Sequence, residues 1–282
     1  MQLHTKKKLC SSLLFTCILT IILPSCSHKN TKKRKKKKIA KVQPQEKKSK
    51  LLSDLNYEDL KKEKNKLLAK GNKEIAIKYI KRMLPLCSNL EELGALMLET
   101  ADLLFDAGKL NDAERMFAEF VHLYPGDKNV EYASYKSILC SYWTTLDAER
   151  DQSKTKETVE KAITFLDRKL ACKKYNDEVT KILLSCRQTL FDSQVNVFNF
   201  YAKQGNYLAA QTRLAEIKKE FSEILPTAEP KILLLACDLA EKQNNKTLLQ
   251  EKKLELATKF PNFIEQTKIA QQNKKNNKAN RF

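Results

Sequence analysis

The sequence predicts an all-α protein, a right-handed α-solenoid of about five helix pairs. Three observations carry that expectation. The 282 residues include only five Gly and seven Pro, while Leu, Ala, Lys and Glu dominate. No stretch sustains a two-residue apolar alternation and Asn-Gly does not occur, whereas apolar residues recur throughout at helical spacing. A block of small and large residues also recurs with fixed internal spacing, the mark of a repeat array.

Residues 1–25 read as a secretion signal. Lys6, Lys7 and Lys8 give a positive start, and Leu9–Leu23 is an uncharged apolar run that ends in Leu23-Pro24-Ser25-Cys26. A membrane-spanning helix needs about 20 apolar residues. This run has 15, so a permanent anchor helix is the weaker alternative. The Leu-Pro-Ser-Cys ending resembles the lipobox of bacterial lipoproteins. That resemblance implies that Cys26 receives a diacylglyceryl group and becomes the acylated first residue of the mature chain. The competing reading is an ordinary cleaved signal with a chance cysteine. Several acyl chains hold a protein at a bilayer where one does not, at about 0.8 kcal/mol per buried CH₂. Ser27 follows, where by resemblance Asp commonly signals inner-membrane retention; Ser therefore points to the outer membrane.

Residues 26–50 are expected to be a disordered basic tether. They include the run Lys32-Lys33-Arg34-Lys35-Lys36-Lys37-Lys38. Residues 1–50 hold 15 Lys and Arg against the single acid Glu46, so +14 of the chain's +19 lies there. Such a run repels itself and cannot bury a core. An exported chain rarely meets nucleic acid, which disfavours a nucleic-acid patch. Attraction to an anionic membrane surface and a solvated spacer stay open as equal alternatives.

Residues 51–263 form the expected repeat domain. In Leu103-Leu104-Phe105-Asp106-Ala107-Gly108-Lys109-Leu110-Asn111-Asp112-Ala113, Gly108 ends one helix and Ala113 lets the next cross closely. Phe117 and Phe120 fill the space between the two, and Pro125 stops the second helix. This small-large pattern is that of a tetratricopeptide repeat. Gly71, Ala76, Ile80 and Met83 repeat it at a shift of 37, and Gly205, Ala210, Leu214 and Ile217 at a shift of 97. A weaker copy runs from Leu239 to Pro261, with Asn244 at the glycine position, since Asn is the next best residue for a left-handed cap. Between them, Tyr132–Leu170 reads as a pair with a longer connection around Arg150-Asp151-Gln152-Ser153. That makes five pairs, the outer two degenerate as caps. Phe117, Phe120, Phe198, Phe200, Tyr201 and Phe221 are expected mostly to pack between helices. Residues 264–282, rich in Asn, Gln and Lys, read as a disordered tail.

No catalytic constellation is legible. Of three His, His4 lies in the signal, His28 in the tether, and only His122 in the fold, near a helix end where a dipole contact suffices to explain it. There is no His pair for zinc, no Gly-rich phosphate loop and no Cys-x-x-Cys. Carboxylates sit among Lys and Arg, as in Asp112-Ala113-Glu114-Arg115. The expectation is therefore a non-enzyme with no cofactor and no metal. Cys10 and Cys17 leave with the signal. Cys87, Cys140, Cys172, Cys186 and Cys237 remain, an odd number in an oxidising compartment. Each lies in or beside an expected helix, which favours buried thiols over disulfides.

A lipobox, a tether and about five tetratricopeptide repeats together resemble the BamD family of outer-membrane β-barrel assembly lipoproteins. Three stretches carry the resemblance. The first runs from Ala107-Gly108-Lys109-Leu110 through Phe117-Ala118-Glu119-Phe120-Val121-His122-Leu123-Tyr124-Pro125 to Asn129-Val130-Glu131-Tyr132-Ala133-Ser134-Tyr135. The second is Glu149-Arg150-Asp151-Gln152. The third, Asn199-Phe200-Tyr201-Ala202-Lys203-Gln204-Gly205-Asn206-Tyr207-Leu208-Ala209-Ala210-Gln211-Thr212-Arg213, resembles the helix-turn-helix of the family's fourth repeat. The long basic tether departs from the family's short linker, and Leu84-Pro85-Leu86 replaces an aromatic-proline ending in the first repeat. The resemblance implies a scaffold, lipid-anchored at the periplasmic face of the outer membrane. Its partners would be a POTRA domain of BamA and nascent outer-membrane β-barrel proteins, with no nucleic acid. It also implies that Arg213 contacts BamA. By residue type alone, Arg213 is a surface arginine in a salt bridge. The alternative function is a periplasmic tetratricopeptide-repeat lipoprotein acting as adaptor for cell-wall or division proteins.

Overall fold

The structure is a computed structural model that describes residues 52–168 and 174–263. Cys26, the signal, the tether, Cys172 and the tail beyond residue 263 lie outside the described residues. Within them are ten α-helices: α1 (Tyr57–Ala69), α2 (Lys73–Met83), α3 (Leu90–Asp106), α4 (Leu110–Leu123), α5 (Val130–Trp143), α6 (Ser153–Leu166), α7 (Asn176–Lys203), α8 (Tyr207–Phe221), α9 (Ala228–Lys242) and α10 (Lys246–Lys259). Two single-turn 3-10 helices, Leu52–Asp54 and Leu84–Leu86, precede α1 and follow α2. Each helix packs on the next, giving the five consecutive pairs that the repeat spacing predicts.

Four of the five turns within pairs share one construction. Gly71, Gly108 and Gly205 have φ of 74°, 72° and 73°, and Asn244 has 55°. This left-handed conformation costs a residue with a Cβ about 1–2 kcal/mol, which is why glycine recurs there. In each turn the next amide reaches five residues back: Asn72 to Leu67, Lys109 to Leu104, Asn206 to Tyr201 and Asn245 to Ala240, all within 2.9–3.1 Å. That bond satisfies a carbonyl left over at the helix end. Asn206 and Asn245 then cap the next helix by accepting from Ala209 N and Leu248 N. The turn therefore ends one helix and starts its partner within three residues. The third pair differs: α5 and α6 are joined by residues 144–152, braced by Gln152 Nε2 donating to the carbonyls of Asp147 and Arg150.

Ala76, Ala113 and Ala210 are wholly buried at the helix crossings, so the small position of the pattern marks the close approach. Around them sit the large residues: Leu60, Ile80 and Met83 in the first pair, Leu104, Phe117 and Phe120 in the second, Phe191, Phe198, Ile217 and Phe221 in the fourth. The core is a row of four apolar clusters along the array. One aromatic expectation needs correction: Phe200 is 58% exposed, whereas Tyr201 beside it is partly buried and packs against the cluster of Phe191, Phe198 and Phe221. Phe200 lies two positions beyond Phe198, about 200° around the helix, so it faces away from the side that Phe198 buries.

Candidate interaction surface

The first helices of successive pairs share a face. α5 approaches α7, and α7 approaches α9. Clefts open instead between second helices. One of about 390 Å³ lies among α4, α5 and α6, lined by Ala118, Val121, Ser137, Ile138, Lys161 and Phe165. Another of about 220 Å³ occupies the equivalent place among α8, α9 and α10. Contact on one side and gaps on the other give the array an inner face built from α3, α5, α7 and α9.

That inner face carries an aromatic ladder across the second and third pairs. Trp143 stacks on Phe105 with ring centroids 5.0 Å apart. Lys136 places its Nζ 3.5 Å from the Phe105 centroid. Tyr132 donates its hydroxyl to Asp102 Oδ1 at 2.5 Å. Burial, reinforced by the Asp102 carboxylate, drives the Tyr132 phenol well above its ordinary range. Tyr175 continues the ladder, stacked on Tyr135 at 4.6 Å. Trp143 is 53% exposed, so the ladder presents an open ring edge and a cation to whatever lies in the groove. The sequence shows these aromatics, yet their assembly from α3, α5 and the start of α7 depends on how neighbouring pairs stack.

A second feature was illegible in the sequence. Glu114, on α4, is buried. Its Oε1 accepts from Lys154 at 2.9 Å and also from Lys161, both on α6. Lys161 and Lys154 turn as well to Glu157, at 2.6 and 3.1 Å. Burial alone would lower the Lys161 pKa; its hydrogen bonds to Glu114 and Glu157 outweigh that and raise it. The Lys161 ammonium in turn holds the Glu157 carboxyl below its ordinary range. This cluster ties the second helix of one pair to the second helix of the next. Asp112-Ala113-Glu114-Arg115 looks solvated in the sequence, and Arg115 does pair with Asp112 at 2.5 Å on the exposed side. Glu114 instead follows Ala113 inward.

Arg213 lies on α8, half-buried. One guanidinium nitrogen donates to Gln194 Oε1 on α7 at 3.2 Å and meets Glu216 Oε2 at 2.7 Å. Its Nε is buried without a hydrogen-bond partner among the described residues. The arginine thus bridges the two helices of the fourth pair and keeps about a third of its side chain in water. Phe200 and Leu208, 58% and 77% exposed, flank the turn of that pair.

Of the cysteines, Cys140, Cys186 and Cys237 are buried thiols and Cys87 is partly buried; none of these four is in a disulfide. Burial pushes Cys140 and Cys186 up to about 11, which leaves them inert as nucleophiles. His122 is exposed in the last turn of α4. Among the described residues no group of His, Cys, Asp and Glu is placed to hold a metal ion. No helix among them is long and apolar enough to cross a membrane.

Residues 54–253 match the family described as YfiO, outer membrane lipoprotein. No curated protein sequence matches the chain. Among solved structures, an assembly chaperone of RpL4 is similar at 13% identity, covering 73% of this chain and 76% of that one, with a TM-score of 0.31.

Proposed function

The chain belongs to the YfiO family of outer membrane lipoproteins, and we propose that it is a non-catalytic scaffold of the outer-membrane β-barrel assembly machinery. In this reading Cys26 carries the lipid and the repeat domain hangs on the periplasmic side. One end of the array binds a POTRA domain of BamA, and the inner face receives nascent β-barrel strands.

The observation that carries the reading is the open aromatic ladder on the inner face. Phe105, Trp143 and Lys136 offer flat apolar surface beside a cation. An extended strand that alternates apolar and polar side chains presents one apolar row to such a surface. Arg213 suits the BamA contact. It is pre-positioned by Gln194 and Glu216, its planar fork matches a carboxylate, and Phe200 and Leu208 lie exposed at the turn of the same pair.

A crosslinking pull-down from outer membranes, read by mass spectrometry, tests the proposal. BamA as the dominant partner supports it. Recovery of cell-wall hydrolases or division proteins instead supports the adaptor reading.

A further inference from the structure

We propose that one edge of the array lies on the lipid surface, with Leu90 and Leu123 dipping into the headgroup boundary. The proposal rests on the chain being a lipid-anchored member of its family.

Because each pair is a hairpin of antiparallel helices, the turns within pairs fall on one edge. The connections between pairs fall on the other. On this second edge Leu90 is 72% exposed, Leu123 53%, Leu86 43% and Ile224 38%. Leu90 and Leu123 are not scattered: with Leu93 and Tyr124 they line one open hollow of about 710 Å³. Polar groups rim it. Glu91 and Asp127 line its margin; exposed Lys81 and Arg82 stand in the last turn of α2, and exposed Lys128 on the connection from α4 to α5. Apolar residues within a mixed polar rim match a bilayer interface, where amines and phosphates lie above acyl chains.

The route of the chain selects this edge over the opposite one, which also exposes apolar residues. Leu52 packs, as do Leu84 and Cys87, against the cluster of Leu60, Ile80, Met83 and Leu96. Arg82 donates to the Ser53 carbonyl at 3.4 Å. The described chain therefore begins at the edge that carries Leu86 and Leu90, and in sequence the seven-residue cationic run and Cys26 precede it. Lys38, the last residue of that run, is 14 residues from Leu52. That is a span of at most about 50 Å. Each cation near an anionic surface strengthens its attraction about fivefold, so the run draws this edge, and not the far one, toward the headgroups.

The test uses the full lipidated protein, reconstituted in phosphatidylethanolamine–phosphatidylglycerol vesicles. Cys87 and Cys172 are changed to Ser, and an environment-sensitive fluorophore is attached at a single new cysteine, L90C, L123C or, on the opposite edge, L208C. Spin-labelled phospholipid is then added. The proposal predicts blue-shifted emission at positions 90 and 123, with quenching at least about twofold greater than at 208. Equal quenching at the three positions, or stronger quenching at 208, overturns it while leaving the anchor intact. A blue shift at 90 and 123 without lipid quenching also overturns it, and shows that protein covers the edge. Release of the protein from the vesicles overturns the anchoring as well.

Discussion

Trp143 and Phe105 belong to different helix pairs, yet their rings stack at 5.0 Å with 26° between their planes. One closes α5 and the other nearly closes α3, so the contact joins first helices of adjacent pairs across the inner face. Lys136 places its ammonium over the same Phe105 ring, 3.5 Å from the centroid. Stacked rings of this kind contribute about 0.5–1.5 kcal/mol beyond their buried area. The exposed half of Trp143 remains available to a partner.

Trp143 is the single tryptophan of the chain, so its emission reports on the groove alone. A peptide that alternates apolar and polar residues, patterned on the last strand of a β-barrel, should shift that emission to the blue. The Trp143→Ala variant should bind the same peptide, followed by titration calorimetry, about tenfold more weakly. Its helical circular dichroism should be unchanged, because half of the indole is already in water.

Gly108 holds φ of 72° between α3 and α4. Substitution by Ala should cost about 1–2 kcal/mol, because nothing within 4 Å obstructs the new methyl and only the backbone resists. Gly108→Asn should cost less, as Asn244 already serves at the equivalent turn. Urea unfolding curves of the two variants measure the difference.

Glu114 connects α4 to α6 through two lysines. Glu114→Ala removes their buried partner. The loss should be about 2–3 kcal/mol, below the range for a fully buried pair because each lysine keeps roughly a third of its side chain in water. The same cluster sets a pH dependence. Glu157 has a depressed pKa in the fold, so its contribution is complete above the ordinary carboxylate pKa and is lost as the pH falls through the folded value. Lys161 has a raised pKa, so its contribution is complete below the ordinary lysine pKa and is lost as the pH rises through the folded value. Melting temperature should therefore hold across neutral pH and fall in acid, and Glu157→Gln should flatten the acid limb.

Cys26→Ser should abolish metabolic labelling by fatty acid and release the protein from membranes, measured by fractionation. Persisting label in this variant contradicts acylation at Cys26.

Much of the fold is readable in the sequence because its turns have strict backbone demands. Gly71, Gly108 and Gly205 occupy a conformation that favours glycine, and Asn244 is recognisable as their nearest substitute. Ala76, Ala113 and Ala210, five positions after each glycine, mark the close crossings. Phe200 departs from the expectation because helical spacing alone groups the aromatics together, whereas its angular offset from Phe198 decides which side it faces. Glu114 and the Phe105–Trp143 ladder are invisible in the sequence for another reason. Both depend on how neighbouring pairs stack, which brings together residues some 40 positions apart. Arg213 stands out by resemblance; the structure adds that it bridges α7 and α8.

If the scaffold docks on the barrel-assembly machinery through its fourth pair, copurification of Arg213→Glu with BamA tests that docking most directly. Arg213→Lys, which keeps the charge and loses the planar fork, serves beside it, with melting temperature to confirm that both variants fold. Arg213→Glu should recover at least about tenfold less BamA than the unaltered chain, with Arg213→Lys in between. Equal recovery of BamA by a folded Arg213→Glu variant would contradict docking through this pair.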